Sequence, residues 1–405
     1  MIHKKIAWLT VLTVPILGVG GALAATDAFD PPALYLTWQR DPTTTMTVHW
    51  QTVDEAKTEL YFRAAATTNA WKAVAGNSHP LPGSIRTVHT VELTSLLPAT
   101  DYDFCFWPGE RVFKFRTMPK DLSRPVRFID GGDVYSDRAV LDAMNELAGK
   151  LDPSFVVFGG DLAYSCSGNV PEKMERWEAY FDSWKQKART PDGRLVPMLV
   201  AIGNHEVPPL GNQPAEKVAA FYSLFSMPGP QGYNVLDFGR YLSLFLLNTA
   251  HTQPIEGAQT KWLQHALAER RRVPHLFPTY HVPAYPSYRP DDTGGSGGLT
   301  RKIREQWCPL FERYGVKIAF EHHDHTFKRT HPIRAGKVDP KGVVYLGDGA
   351  WAVTPRKPDA KPRWYLAKTA SVHHFHLVTL YPDARHVLSV NEWGQVFDEV
   401  YQRTR

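Results

Sequence analysis

Residue types that bind metals or move protons fall in five short segments, each directly after an apolar run. They are Ile129-Asp130-Gly131-Gly132-Asp133, Gly159-Gly160-Asp161-Leu162-Ala163-Tyr164, Gly203-Asn204-His205-Glu206, Thr279-Tyr280-His281-Val282-Pro283, and His322-His323-Asp324-His325 after Ala319-Phe320-Glu321. Taken singly, each has a bland explanation, because an Asp after Gly is ordinarily a turn and a buried Tyr ordinarily packs in a core. Five together at strand ends are not bland. Carboxylates, imidazoles, an amide and a phenol gathered there supply the oxygen and nitrogen donors of a metal site. An open α/β sheet places its ligands at that edge.

The elements that must position these residues are legible from hydrophobic period. Beyond Pro125, buried apolar strands are expected at Val126 to Ile129, Phe155 to Phe158, Met198 to Ile202, Leu242 to Leu247, His275 to Tyr280, Val316 to Phe320 and Val343 to Leu346. Helices fit between them at Arg138 to Leu147, Pro171 to Ala188, Gln259 to Arg271 and Arg301 to Tyr314. This is an α/β domain over 124–405. The Pro-, Gly- and Asp-rich stretch Pro286 to Gly298 reads as a flexible loop bordering the site. The chain from His373 to Val400 reads as strands and a hairpin. Residues 30–118 alternate with period two in Thr45 to Trp50, Glu59 to Arg63 and Arg111 to Thr117, which suggests a small antiparallel sandwich. Within it Leu97-Pro98-Ala99-Thr100-Asp101-Tyr102 resembles the entry to a late strand of fibronectin type III domains, where the Tyr hydroxyl bonds back to upstream backbone. A polar linker, Met118-Pro119-Lys120 with Ser123-Arg124-Pro125, joins the two domains.

The five motifs in order make the chain resemble a purple acid phosphatase within the calcineurin-like metallophosphoesterases, whose pattern is GD, GDxxY, GNH(D/E), a His after a strand, and GHxH. Tyr164 is the specific mark, because most metallophosphoesterases lack a ligand Tyr there. The resemblance implies a fibronectin III-like all-β sandwich followed by an α/β sandwich of two central mixed sheets flanked by helices. It also implies that Asp133, Asp161, Tyr164 and His325 hold one metal, and that Asp161, Asn204, His281 and His323 hold a second, with Asp161 bridging. The first set, with two unshared anions, suits a hard ion such as Fe(III); the second, neutral apart from the bridge, suits divalent Fe, Zn or Mn. Two such ions acidify a bound water and clamp the attacking and leaving oxygens at phosphorus. His205 is the implied catalytic residue, bonding the phosphoryl group or assisting the leaving oxygen.

The pattern is not followed everywhere. His322 stands where the family has Gly, and could narrow the cleft, donate a proton or point away. Val134-Tyr135 continues the first motif where a second Gly is common. Asp130 rivals Asp133 for the first metal, the register favouring Asp133. Arg289 reads as a loop cation, with a phosphate contact as the sharper alternative, so His322 and Arg289 are the candidate substrate residues. Gly347-Asp348-Gly349 reads as a tight turn, and His373, His374 and His376 as strand residues.

Composition bounds the rest. The 405 residues are 43% hydrophobic and 21% charged, with a net charge of +5, which excludes a disordered chain. No Lys/Arg run suggests a nucleic-acid surface, and Arg270-Arg271-Arg272 reads as a cationic helix end. No Walker-type loop or Gly-x-Ser-x-Gly elbow is present. His3, Lys4 and Lys5 before an apolar run from Ile6 to Leu23, ending in Ala22-Leu23-Ala24, read as a secretory signal peptide over 1–25. No later stretch is apolar enough to span a bilayer. Cys105, Cys166 and Cys308 allow at most one disulfide. The chain therefore reads as a secreted or periplasmic hydrolase of phosphate esters, monoesters first. The alternatives are a phosphodiesterase on the same fold and a non-catalytic secreted binding protein.

Overall fold

In the computed structural model the described residues are 29–404, apart from 55, 66, 68–69, 168–170, 208–211, 230–231, 291–295 and 348. The expected signal peptide over 1–25 and Asp348 of the expected turn lie outside them. The alternating N-terminal runs form two four-stranded antiparallel sheets. One is built on Leu34–Thr37, Met46–Thr52 and Thr87–Leu93, the other on Glu59–Ala64, Asp101–Cys105 and Phe113–Arg116. Tyr102 behaves as its segment suggests: the Leu97 N–H donates to its hydroxyl at 2.8 Å.

The C-terminal domain is a four-layer sandwich. In the six-stranded sheet, Met198–Val200, Val156–Phe158 and Val126–Gly131 run parallel. The antiparallel strands His374–Leu380, Ala384–Asn391 and Val396–Arg403 extend it. In the seven-stranded sheet, Leu242–Leu247, His275–Tyr280, Ile318–Phe320 and Val344–Gly347 run parallel in that order, with antiparallel strands at both edges. Phe128, Phe155, Leu199, Leu244, Phe277 and Phe320 pack in one core shared by the two sheets and reaching into the β domain. Helices Arg138–Lys150 and Met174–Lys187 cover the outer face of the first sheet, and Ala258–Glu269, Ser296–Gln306 and Cys308–Tyr314 that of the second. Strands buried on both faces explain why their sequences are continuously apolar.

The single helix expected over Arg301 to Tyr314 is two. Pro309 near the start of the second cannot continue the hydrogen-bond ladder of the first, and the chain breaks at Trp307, whose indole N–H donates to Thr260 Oγ1 at 3.1 Å. Of the expected loop after Pro286, residues 287–289 are held by Asp324 and Ser296 begins a helix, while residues 291–295 lie outside the described residues. The three cysteines are buried and unpaired, so the possible disulfide is not formed.

Candidate metal centre

The five motif segments meet where the parallel strands of both sheets end. Three loops come from the first sheet, and the buried Glu206 carboxylate ties two of them, accepting the N–H groups of Asp161, Leu162 and Gly203 at 2.7–2.8 Å. The first loop is zipped to the second by Asp133 N–H to Gly160 O and Val134 N–H to Asp161 O. On the second sheet, buried Glu321 accepts Tyr280 Oη–H and Ala284 N–H, each at 2.7 Å, and pairs with the buried Lys328 ammonium, which fixes the turn after His281. The two sheets are joined by His323 N–H donating to Asp133 Oδ2 at 2.8 Å.

Ten non-glycine residues among those described have positive φ, and five of them are Asp133, Asp161, Tyr164, His323 and His325. A left-handed backbone costs about 1–3 kcal/mol at such residues and persists only where surroundings over-determine it. The hydrogen bonds just described hold Asp133, Asp161 and His323 in it.

The donor atoms form two compact sets. Tyr164 Oη lies 3.0 Å from both Asp133 Oδ1 and His325 Nε2, and the latter two are 2.9 Å apart. His281 Nε2 lies 3.1 Å from each of Asn204 Oδ1, His323 Nδ1 and Asp161 Oδ2. Donors about 2.1 Å from a common ion and at right angles to one another stand about 3.0 Å apart, so both sets have the edge lengths of a coordination shell. Asp133, Asp161 and His325 converge within 4.8 Å, as do Asp161, His281 and His323, so Asp161 belongs to both groups. Among the described residues its buried Oδ2 has only the His281 imidazole beside it, at 3.1 Å, and no well-formed hydrogen bond, which leaves an anionic oxygen that a cation would satisfy.

The electrostatics agree. Burial alone would raise the Asp161 carboxyl, but the charges of His281 and His205 outweigh it and hold the group well below the usual range. Burial likewise opposes charge on His281, yet Asp161 pulls its pKa up to about 9. Burial, with Arg289 and His281 beside it, keeps His323 well below the ordinary imidazole value, so it stays a neutral donor. Burial first, then the charges of Asp133 and Asp161, pushes the Tyr164 phenol well above 10. The cluster thus calls for positive charge at its centre, and only a strongly polarising cation would make Tyr164 a phenolate.

The other expected residues sort differently. His205 is half-buried at the site; its ring stacks on Tyr164 at 4.1 Å, its N–H donates to Asp161 Oδ1 at 2.7 Å, and Nδ1 lies 2.7 Å from Cys166 O. With Nδ1 donating to that carbonyl, Nε2 is the atom left for proton transfer. His322 as a substrate residue is corrected: it points away from the cleft, 1% exposed, with Nδ1 3.0 Å from Tyr280 O and Nε2 3.2 Å from Asp130. Gly132 and Gly159 make room for its ring, because a Cβ on either would overlap it. Asp130 is engaged by His322 and by Thr279 Oγ1, each at 3.2 Å, and lies outside both donor groups. Arg289 Nη1 donates to the His323 carbonyl and to Asp324 at 2.9 Å, so the guanidinium braces the His323 loop, with 24% of the side chain exposed. His374 and His376 are buried strand residues outside both metal groups. Glu206, Glu321 and Asp324 carry the scaffold, and nothing in sequence separates such carboxylates from ligands. Arg356 was equally hidden: its N–H donates to His325 O at 2.7 Å and its guanidinium lies over Tyr288.

Comparison with known proteins accords with this geometry. Residues 31–117 match the model of the purple acid phosphatase N-terminal domain, and residues 132–327 match that of the calcineurin-like phosphoesterases. An uncharacterized protein of Mycobacterium tuberculosis is 26% identical over 351 residues, covering 75% of this chain and 63% of its own. Purple acid phosphatase 15 of Arabidopsis thaliana is 27% identical, covering 65% and 53% respectively. The chain thus spans less than two thirds of these relatives, whereas the match to human acid phosphatase type 7, at 24% identity, covers 95% of this chain and 93% of that one. The solved purple acid phosphatase from yellow lupin seeds shares the fold with a TM-score of 0.74 at 16% identity, covering 91% of this chain and 73% of that one.

Proposed function

The chain belongs to the purple acid phosphatase family of calcineurin-like phosphoesterases, and we propose that it is a secreted hydrolase of phosphate monoesters working at a dinuclear metal centre. The observation that carries this reading is the pair of donor sets sharing Asp161. Asp133, Asp161, Tyr164 and His325 would hold Fe(III), and Asp161, Asn204, His281 and His323 a divalent Fe, Zn or Mn. Such a pair supplies an acidified water and charge neutralisation at phosphorus. The protein's own contribution is positional. His205, oriented by the Cys166 carbonyl and the face of Tyr164, presents Nε2 to protonate the leaving oxygen, and in its charged form it can donate to a phosphoryl oxygen. Glu206 fixes the Asp161 and Asn204 loops so that bridge and neighbour keep their spacing as charge develops. The N-terminal apolar run supports export, and no helix among the described residues is long and apolar enough to cross a membrane.

The test is nitrophenolate release from a phosphomonoester and from its bis-ester by metal-replete protein across acid to alkaline pH, with metal content measured in parallel. We expect two ions per chain, a monoester preference and an acidic optimum. Asp161→Ala should lose both ions and activity; two ions retained in that variant would show that another residue bridges. A diester preference would make the protein a phosphodiesterase instead, and silence on both substrates without stoichiometric metal would leave only a binding role.

A further inference from the structure

At the opposite end of the seven-stranded sheet lies a cleft of about 990 Å³ with an unusual lining. It opens where the strands His275–Tyr280 and Ile318–Phe320 begin, whereas the metal ligands follow their ends, so roughly 20 Å of strand separates the two places. Arg271, Arg272, Lys317, Arg385 and Arg403 line it against a single carboxylate, Asp383. Among the described residues none of these five cations forms an ion pair with an acidic side chain; Lys317 reaches only the Lys341 carbonyl, at 3.3 Å.

Arg385 is what distinguishes this cleft from an ordinary basic patch. It is 1% exposed, on the strand that follows the hairpin turn, and its Nη2 donates to Pro274 O at 2.9 Å. Among the described residues its buried Nε and Nη1 have no hydrogen-bond partner, nor has Nδ1 of neighbouring His275. A desolvated guanidinium with unmet donors is costly unless a counter-charge lies close, and among the described residues the cleft offers only Asp383, with which it forms no ion pair. The outer cations, on a helix end, a strand entry and the last strand, converge on the same space from separate elements, which a merely solvated helix end would not require.

We propose that this cleft is an anion site, separate from the metal centre, that takes a small polyphosphorylated molecule. Burial lowers the Arg385 pKa to about 10, and burial with Arg385 beside it lowers His275 to about 4, as expected of a wall that lacks its counter-ion. The span of the cations, and a volume at the upper end for small-ligand sites, fit several phosphate groups better than one.

The experiment is calorimetric titration of the metal-loaded full chain with inositol hexasulfate, a polyanion that a phosphatase cannot consume, and separately with inorganic phosphate. We expect saturable binding of the hexasulfate that weakens with added salt, and at least tenfold weaker binding in the exposed-site variant Arg271→Glu/Arg272→Glu, with nitrophenyl phosphate turnover unchanged. Arg385→Gln should weaken binding too, and the surface variant decides the matter if that protein fails to fold. Hexasulfate affinity unchanged in the double variant would overturn the proposal, as would inorganic phosphate binding at the cleft as tightly as the hexasulfate.

Discussion

Tyr164 is where residue chemistry and backbone meet. Its φ of +52° is unfavourable for an aromatic residue, and its phenol is both pushed up by burial and held between Asp133 and His325. A core Tyr gains nothing from that arrangement, whereas a ligand does. Tyr164→Phe should therefore remove any visible phenolate-to-Fe(III) absorption while leaving the Asp161, His281 and His323 set able to take up a divalent ion; colour surviving the change would mean that another Tyr is the ligand. The donor residues that the fold gathers were legible because each is a chemically distinctive type placed just after an apolar run. His322 was not legible, because one sequence cannot tell a His aimed into a cleft from one filling the space beside two glycines. Its neighbours at Gly132 and Gly159 settle that only in three dimensions.

At the scale of elements, the strands were read well where they are buried on both faces: Leu242–Leu247 and His275–Tyr280 have the expected bounds. Errors fell where a local signal competes with tertiary packing, as at Trp307, where one periodic pattern covers two helices. The short strands Leu34–Thr37 and Asn77–Pro80 were missed, since pairing with longer neighbours defines them more than any period of their own. The loop after His281 shows the reverse case, a turn-rich composition held firmly. Asp324 accepts the N–H groups of Ser287, Tyr288 and Arg289 at 2.7–3.2 Å and the Arg289 guanidinium, from a position between His323 and His325. Asp324→Asn removes the charge and turns one of the two accepting oxygens into an NH2 donor, which must face either those N–H groups or the Arg289 guanidinium. Stability should fall by about 1–3 kcal/mol, and metal affinity by roughly tenfold to a hundredfold, read by thermal unfolding and by competition with a chelator. Metal affinity equal to the unsubstituted protein's would show that the ligand loop does not depend on this anchor.

For the whole molecule, the two domains share a core and not merely a linker. Tyr35 of the first stacks on Phe181 of the second at 4.2 Å, and Trp38 meets Phe155 and Phe238 edge-on. Burial on this scale also traps histidines as neutral groups. His49, between Thr37 and Thr90, has its pKa lowered to about 3 by burial first and then His79; His275, near Arg385, is lowered to about 4. Because both folded values lie below the ordinary 6.5, the unfolded chain takes up these protons first as pH falls. The stability they contribute is complete above that value and is lost progressively as pH drops toward 4 and then 3. Between pH 7.5 and pH 5 each site should withdraw roughly 2 kcal/mol, observed as a fall in the urea midpoint. Replacing His49 with Gln, which keeps polar contacts to the two threonines but does not titrate, should flatten that fall by about its own share; an unchanged slope would mean that His49 is already charged in the folded protein. An enzyme with an acidic optimum would then work where its own core is weakening, and the free energy of metal binding, which acts only on the folded chain, is what would hold it together there.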